Sequence, residues 1–196
     1  MKKKNVVYVG LSADILHEGH INILKVANKF GNVTVGLLTD KAIASYKKIP
    51  HLSYRQREIV LKNIKFVKKV IPQETLDYSE NLNLIRPNYV VHGNDWKSGI
   101  QKETRAKVVK EIKKWGGKLI EPTYTKNISS TLIKKKISEI VPVENRVSRL
   151  KRLIYSKDIV RILESHNSLT GLIIENLNIK KNKKNLEFDG MWSSSL

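Results

Sequence analysis

The first distinctive stretch of the chain is Asp14-Ile15-Leu16-His17-Glu18-Gly19-His20. It follows residues 5–10, a mostly apolar run that predicts a buried strand ending at a glycine. Apolar residues after the stretch recur at helical spacing, so both histidines lie between a first strand and a first helix. In an open α/β sheet, that position is the usual crevice for ligands.

The residues of this stretch suit a phosphate group. Gly19 lets the backbone approach a phosphate closely, and the free N–H groups of the following helix favour an anion. His17 and His20 can donate hydrogen bonds to charge that grows on a phosphorus centre. Two other interpretations stay open, a zinc half-site and a histidine pair that only satisfies the helix start. Zinc is disfavoured because the chain has no cysteine, and its other histidines are not obviously placed to complete a site.

At 196 residues, the chain is long enough for one full α/β domain and a smaller unit. Its 37 basic and 18 acidic residues give a net charge of +19, which indicates anionic partners. Lysines are spread over most predicted helices without an aromatic platform for bases, which favours a nucleotide-phosphate site over specific nucleic-acid binding. The sequence has no cysteine, no signal peptide and no membrane-spanning apolar run, which predicts a cytoplasmic protein without membrane contact.

Further apolar runs predict four more strands, at residues 33–38, 66–71, 89–92 and 119–120. Helical patterns lie between them, at residues 41–46, 54–64, 81–85 and 103–115, and a last one begins near residue 130. Thr39 and Asp40 form a plausible cap for the helix that follows them, and Ser53 is suited to cap the next helix. Strands that alternate with helices predict an α/β fold, a Rossmann-like, doubly wound parallel sheet of five strands within residues 1–142.

The pattern Asp-x-x-His-x-Gly-His after a first strand resembles the nucleotidyltransferase superfamily that includes the cytidylyltransferases, glycerol-3-phosphate cytidylyltransferase-like enzymes among them. This resemblance implies that His17 and His20 are catalytic. It also implies nucleotide contacts from neighbouring residues, which are Gly10, Leu11, Ser12, Asp14 and Gly19. Three later stretches match the same family in order and spacing.

The first of these later stretches contains Lys47, Lys48 and Arg57. In the family, a lysine in a flexible loop and an arginine on the following helix hold phosphate oxygens. The resemblance therefore implies catalytic roles for Lys47 or Lys48 and for Arg57, as mobile and fixed cations. Ordinary surface charge is the alternative for each of them.

The second stretch, residues 91–96, resembles the Gly-Asp-Asp-Trp segment in which the family holds the base and the ribose. Asn94 replaces the first acid of that segment, although an amide could still hydrogen-bond there. Trp96 could equally be an ordinary core residue. The nucleotide-binding residues implied here are His92, Gly93, Asn94, Asp95 and Trp96.

The third stretch, residues 125–134, resembles the family's Arg-Thr-Glu-Gly-Ile-Ser-Thr-Thr-x-Ile segment. Hydroxyl and N–H groups at a helix start would form a second phosphate cradle opposite the first. Asn127 stands where the family commonly has glycine, and asparagine tolerates a left-handed backbone better than most residues. The nucleotide contacts implied here are Thr125, Ile128, Ser129, Ser130 and Thr131.

The last part of the chain has a different character. Residues 146–163 predict one basic amphipathic helix within a mostly helical C-terminal extension over residues 143–196. Residues 164–170 and 187–196 resemble the opening of phosphoenolpyruvate mutase. A barrel of that kind needs about 250 residues, so we expect the start of a mutase-like domain, shortened or naturally split. An unrelated dimerisation helix is the alternative.

The two resemblances together imply transfer of CMP from CTP to a phosphonate, such as 2-hydroxyethyl- or 2-aminoethylphosphonate, with release of pyrophosphate, in phosphonate biosynthesis. They imply Mg²⁺ as the cofactor, bridged mainly by the triphosphate, with Asp14 either as a possible ligand or as a partner of the helix start. One alternative is a phosphate acceptor such as glycerol 3-phosphate. The other is a non-catalytic module that binds nucleotides or nucleic acid.

The apolar stripe of residues 146–163 needs a cover, since a solvated extension could not leave it exposed without aggregating. We therefore expect a homodimer with the extension at or near the contact. Every nucleotide motif precedes residue 135, so residues 1–142 are expected to bind CTP without the extension.

Overall fold

The computed structural model describes residues 5–97, 101–123, 125, 133, 146–177, 179–181 and 184–193. Within residues 5–120, the strands are β1 (Val6–Leu11), β2 (Asn32–Leu38), β3 (Val67–Gln73), β4 (Tyr89–Val91) and β5 (Lys118–Ile120). The helices between them are α1 (Glu18–Phe30), α2 (Asp40–Ala44), α3 (Tyr54–Lys62), α4 (Ser79–Ile85) and α5 (Lys102–Lys113), with a 3₁₀ turn at Asn94–Lys97. The predicted strands and helices of this part are confirmed, with shifts of a few residues at their ends.

The five strands form one parallel sheet in the order β3-β2-β1-β4-β5. The order reverses between β1 and β4, which places the topological switch point at the carboxyl ends of these two strands. This arrangement confirms the predicted Rossmann-like, doubly wound sheet.

The core lies on both faces of the sheet, because alternate residues of a strand point to opposite faces. Val7 and Val9 of β1 pack with Leu24 of α1 on one face. Tyr8, between them, packs with Leu82 of α4 on the other face. Burial on both faces explains why β1 is a continuous apolar run in the sequence, whereas β3 at the edge of the sheet carries the exposed Lys68 and Lys69.

Both predicted helix caps are confirmed. The Thr39 Oγ1 accepts a hydrogen bond of 3.2 Å from the N–H of Ala42 at the start of α2. At the start of α3, the Ser53 hydroxyl accepts from the Gln56 N–H, and the Gln56 Oε1 accepts from the Ser53 N–H at 2.8 Å. Each cap satisfies N–H groups that the first helical turn leaves without a partner.

The described part of the extension contains two helices and four short strands. They are α6 (Arg146–Ser156), β6 (Ile162–Ser165), α7 (Ser168–Asn176), β7 (Ile179–Lys181), β8 (Lys184–Leu186) and β9 (Gly190–Ser193). Strand β6 pairs with β9 in parallel, and β7 pairs with β8 in antiparallel. The extension therefore has more strand than the mostly helical prediction allowed.

The prediction of one helix over residues 146–163 is wrong in its second half. Helix α6 ends at Ser156, and residues 162–163 belong to β6. Asp189, just before β9, accepts hydrogen bonds from the Lys157 side chain and from the backbone of the segment that leads into β6. Pairing with β9, which no local pattern reveals, therefore outweighs the helical periodicity.

Helix α6 packs against the first domain, where Leu153 is buried with Ala44 and Ile49. The helix predicted to begin near residue 130 lies outside the described residues, apart from Ile133, which is helical. Among the helices that the structure describes, none combines the length and apolar character needed to cross a membrane.

Candidate active site

A cavity of about 270 Å³ lies at the carboxyl ends of β1 and β4, at the topological switch point. Residues from all of the first-domain motifs that the structure describes meet there, apart from those of the 125–134 segment. The predicted site residues that line the cavity are Gly10, Leu11, Ser12, His17, Gly19, His20, Lys47, His92, Gly93 and Asp95.

The two motif histidines are tied to the start of α1. His17 is the N-cap, and its Nδ1 accepts a hydrogen bond of 3.2 Å from the Gly19 N–H. The His20 Nδ1 accepts in turn from the His17 N–H at 3.4 Å, and the two ring centroids lie 4.0 Å apart. Since each Nδ1 accepts, the proton of each neutral ring is on Nε2, which can donate. The histidines therefore satisfy the helix start and also line the cavity with N–H donors.

The absence of a side chain at Gly19 has a structural role besides allowing a phosphate to approach the backbone. A Cβ atom at this position would lie 2.9 Å from the Cε1 and 3.0 Å from the Nδ1 of His17. A side chain at residue 19 would therefore displace the His17 ring. The glycine is what allows the histidine to cap its own helix.

Both imidazoles are neutral at neutral pH. Burial lowers the pKa of His17, and the nearby Glu18 opposes this shift. The pKa of His20 falls to about 3, because of burial first and then repulsion from His17 and Lys47. Neutral rings act here as hydrogen-bond donors rather than as fixed positive charges.

We expect His20 to make the protein acid-sensitive. Its pKa is lowered from 6.5 to about 3 on folding, so the unfolded chain takes up the proton first as the pH falls. The contribution of His20 to the free energy of unfolding is therefore at its full value above about pH 6.5, and it falls progressively as the pH drops toward 3. His20→Asn should therefore reduce the loss of unfolding free energy between about pH 7.5 and 5 by roughly 1–2 kcal/mol, measured by urea unfolding. His166→Asn is the matched control, because His166 is exposed. If the unfolding free energy of His20→Asn fell with pH as steeply as that of the unaltered protein, the expectation would be contradicted.

The structure distinguishes the two loop lysines. Lys47 lines the cavity, and its Nζ lies 3.3 Å from the Ser12 Oγ. Lys48 instead forms a 3.3 Å ion pair with Glu187 of the extension. Of the two predicted alternatives, Lys47 is the residue that the fold brings to the histidines.

Arg57 is buried and does not line the cavity. Its Nη1 donates to the carbonyl oxygens of Ser12 at 2.6 Å and Leu38 at 2.8 Å. Its Nε donates to the Leu52 carbonyl at 3.2 Å, and its Nη2 pairs with Asp40 at 2.7 Å. The structure thus places the predicted phosphate cation under the site, where it ties three backbone segments together.

Asp14 also lies beneath the cavity. It is 1% exposed, and its Oδ1 accepts hydrogen bonds from the backbone N–H groups of His51, at 2.7 Å, and Leu52, at 3.2 Å. Asp14 therefore connects the histidine stretch to the loop that carries Lys47. Among the described residues of the cavity lining, Asp95 is the carboxylate.

The residues after β4 divide between the site and the core. The His92 ring stacks on Trp96 with a centroid separation of 3.9 Å and an interplanar angle of 4°. Its Nδ1 donates to the Gly93 carbonyl at 2.8 Å, and burial lowers its pKa, so its Nε2 is an acceptor. Trp96 is 1% exposed, lies in the core and donates to Glu121 at 2.7 Å, as the core interpretation required.

Two further predicted contacts are not among the residues that line the cavity, although the Thr125 Cβ lies 3.7 Å from where a Cβ atom of residue 19 would be. Asn94 donates its backbone N–H to the Pro122 carbonyl at 3.1 Å and does not line the cavity. The Thr125 hydroxyl accepts from the Asn22 side chain of α1 at 3.2 Å. The remaining predicted contacts, which lie outside the described residues, are Ile128, Ser129, Ser130 and Thr131.

The zinc interpretation gains no third ligand from the part of the chain that the structure describes. No group of three His, Cys, Asp or Glu side chains comes close enough there to hold a metal ion. A structural zinc site needs four protein ligands and a catalytic one commonly three.

Sequence reasoning missed several residues that line the cavity, notably Tyr46, Tyr78 and Gln101. A Cβ atom at Gly10 would collide with the ring of Tyr78. A glycine at the end of β1 therefore signalled a close approach, but the sequence could not say which residue makes it.

Comparisons with known proteins agree with this geometry. The model of the family described as cytidylyltransferase-like matches residues 8–136. The chain is 32% identical over 96 residues to the glycerol-3-phosphate cytidylyltransferase of Bacillus subtilis (strain 168), and the match covers 47% of this chain and 73% of that protein. It is 30% identical over 120 residues to the ethanolamine-phosphate cytidylyltransferase of Mus musculus, covering 60% of this chain and 29% of that one.

A solved structure supports the fold alone. The crystal structure of the lipopolysaccharide core biosynthesis protein from Thermoplasma volcanium GSS1 matches with a TM-score of 0.54 and 24% identity. The match covers 63% of this chain and 100% of that chain.

The fold is α/β with a cavity at the switch point of its parallel sheet, and the relatives named above are cytidylyltransferases, a class of nucleotidyltransferase. The chain belongs to the cytidylyltransferase-like family, whose model matches most of its length.

Proposed function

We propose that this enzyme transfers CMP from CTP to a small acceptor that carries an anionic phosphorus group, with release of pyrophosphate. One observation carries the proposal: two neutral imidazoles with Nε2–H donors line the switch-point cavity together with Lys47. Donors and a cation at a helix N-terminus suit a triphosphate and the charge that develops during its cleavage.

In the proposed reaction, an acceptor oxygen attacks the α-phosphorus in line with the leaving pyrophosphate. A phosphonate or phosphate oxygen is anionic at neutral pH, so no general base is needed. The enzyme has to position the two reactants and stabilise charge. His17 and His20 donate from Nε2 to the oxygens on the α-phosphorus, where negative charge grows, and Lys47 holds the other oxygens of the triphosphate.

Mg²⁺ fits this site as an ion bound chiefly by the triphosphate. It commonly binds through one or two carboxylates together with substrate phosphates, and Asp95 is the carboxylate among the described lining residues. When bound, it would neutralise charge on the phosphates. Asp14 is a weaker candidate than the sequence implied, because it is buried and accepts hydrogen bonds from the lysine loop.

The residues after β4 support a base with an amino group. The His92 Nε2 is an acceptor, as a group that recognises the exocyclic amine of cytosine must be. Asp95 lines the cavity beside it. Trp96 supports His92 from beneath by stacking and has no face toward the cavity.

Two classes of acceptor have comparable support. The name of the Bacillus subtilis relative favours glycerol 3-phosphate. The resemblance of the extension to phosphoenolpyruvate mutase favours a phosphonate, because that reaction forms a carbon–phosphorus bond. Either acceptor presents the same anionic oxygen to the α-phosphorus.

Pyrophosphate release tests the proposal. CTP, ATP, UTP and GTP would each be assayed with 2-aminoethylphosphonate, 2-hydroxyethylphosphonate, phosphonopyruvate, glycerol 3-phosphate and phosphoethanolamine. Preference for CTP with one acceptor class supports cytidylyl transfer and identifies the class. If no combination of nucleotide and acceptor released pyrophosphate and the protein bound RNA tightly in a salt-sensitive way, the alternative of a non-catalytic binding module would be favoured. The net charge of +19 is the observation behind that alternative.

We also propose that the chain has a cytidylyltransferase domain over residues 1–142 and the start of a mutase-like domain over residues 143–196. Support comes from β6 and β9, which form a parallel pair of strands connected by α7 and the β7–β8 pair. Parallel strands of this kind are normally buried on both faces. Trp192 of β9 is nevertheless 67% exposed, so this pair of strands presents an uncovered aromatic side chain.

A cytoplasmic homodimer is part of the same proposal. Leu153 of α6 packs on the first domain, but Leu150, Ile154 and Tyr155 remain exposed, with Tyr155 at 76%. A two-fold contact would bury the same face of α6 twice. We expect light scattering to give a dimer for the whole chain and a monomer for the double variant Leu150→Glu, Ile154→Glu. A monodisperse monomer for the unaltered chain would contradict the dimer.

A further inference from the structure

Arg152 of α6 reaches from the extension into the first domain. Its Nη1 donates to the His51 carbonyl at 2.9 Å. Its Nη2 donates to the carbonyls of Pro50, at 3.1 Å, and Leu52, at 3.2 Å. One guanidinium therefore binds three consecutive carbonyl groups of the loop formed by residues 47–52, which we call the lysine loop.

The same guanidinium is linked to the buried arginine beneath the site. The Arg152 Nη2 lies 2.9 Å from the Asp40 Oδ2, and the Asp40 Oδ1 lies 2.7 Å from the Arg57 Nη2. Arg57 also donates to the Leu52 carbonyl and to the Ser12 carbonyl. Two arginines, joined through one carboxylate, thus hold the end of the lysine loop against the end of β1.

Further contacts fix the loop from both sides. From the first domain, the Asp14 Oδ1 accepts the N–H groups of His51 and Leu52. From the extension, Leu153 packs on Ile49, which is 3% exposed. Lys47 begins this loop, and its Nζ lies beside the Ser12 Oγ in the cavity lining.

We propose that Arg152 is a positioning residue for catalysis: it shapes the lysine loop so that Lys47 faces the triphosphate. The extension then shapes the active site through the lysine loop without lining the cavity. This inference departs from the expectation that residues 1–142 bind CTP without the extension, and it rests on the proposed function for its kinetic readout.

An arginine is required at position 152 because its acceptors, one carboxylate and three carbonyl groups, lie in different directions from the side chain. A planar guanidinium offers five donors in a fixed fork, which can serve a carboxylate and several carbonyls at once. Lysine could still pair with Asp40 but could not hold three consecutive carbonyls. Arg152→Lys should therefore fold and yet lose most of the positioning effect.

The test is a double-mutant cycle between Arg152 and Lys47 in the full chain. Arg152→Met should lower kcat/KM for CTP by roughly 10–100-fold, because a small misplacement of a binding group is costly. In a Lys47→Ala background, the same substitution should change kcat/KM by no more than about threefold, since the group being positioned is already absent. Arg149→Met is the matched control, because Arg149 is an exposed arginine of the same helix.

The outcomes decide the proposal. An equal loss from Arg152→Met in both backgrounds would show a general structural role and overturn it. Wild-type activity in Arg152→Met or Arg152→Lys would overturn it as well, and so would an equal loss in Arg149→Met.

A readout without turnover separates this inference from the proposed function. Amide hydrogen exchange at His51 and Leu52, whose N–H groups bind Asp14, should become at least about tenfold faster in Arg152→Met but not in Arg149→Met. If no acceptor supports pyrophosphate release, the proposed function fails, while the exchange data and CTP affinity by calorimetry still decide whether Arg152 shapes the loop. Unchanged exchange and unchanged CTP affinity would overturn the inference alone.

Discussion

His17→Ala and His20→Ala should each lower kcat by roughly 10²–10³-fold while the affinity for CTP changes far less. The reason is the direction in which the rings donate. Each Nδ1 is occupied by a backbone N–H of the helix start, so only Nε2–H remains to stabilise charge on the phosphorus centre. An interaction made mainly in the transition state affects kcat rather than binding.

A matched variant separates catalysis from helix capping. His17→Asn keeps a preferred N-cap acceptor but loses the Nε2 donor, so it should retain the thermal midpoint and still lose turnover. His17→Ala removes both functions and should also cost about 1 kcal/mol of stability. Pyrophosphate release and thermal unfolding measured on the same samples distinguish these cases. Near wild-type turnover in both His17→Ala and His20→Ala would show that the site has been assigned to the wrong residues.

The features that sequence predicted correctly are local ones. Strands β1 and β2 are continuous apolar runs because both faces of a parallel sheet are buried. The caps at Thr39 and Ser53 depend only on the three residues that follow each of them. The pairing of His17 with His20 also lies within one helical turn, so its position at the switch point could be inferred once the strands were known.

The features that sequence missed depend on distant partners. Arg55 and Arg57 lie on one turn of α3, and nothing in the local sequence shows which of them is buried. In the structure, Arg55 is exposed and Arg57 is buried. The acceptors that select Arg57 include carbonyls at the ends of β1 and β2. Residues 162–163 likewise suit a helix by their periodicity, and their pairing with β9 makes them extended.

Arg57→Met should destabilise the protein by about 3–5 kcal/mol, the usual cost of removing one partner from a buried ion pair. The Arg57 side chain is fully buried against Asp40, whose side chain is 18% exposed, and it donates to three carbonyls. Its loss would remove this donor from the Ser12 and Leu38 carbonyls and would leave the Leu52 carbonyl and Asp40 with Arg152. Urea unfolding followed by tryptophan fluorescence measures the effect.

Arg55→Met is the matched control for Arg57→Met, since it removes a similar charge from the exposed side of the same helical turn and should change stability by less than about 0.5 kcal/mol. The comparison also decides between two roles for Arg57. A direct phosphate contact, as the family resemblance implied, predicts a folded Arg57→Met protein with an ordinary unfolding midpoint and a raised KM for CTP. A buried support predicts a large fall in the unfolding midpoint, accompanied by a loss of activity that follows the fraction of folded protein. The burial of Arg57 and its bonds to Ser12 and Leu38 favour the second result.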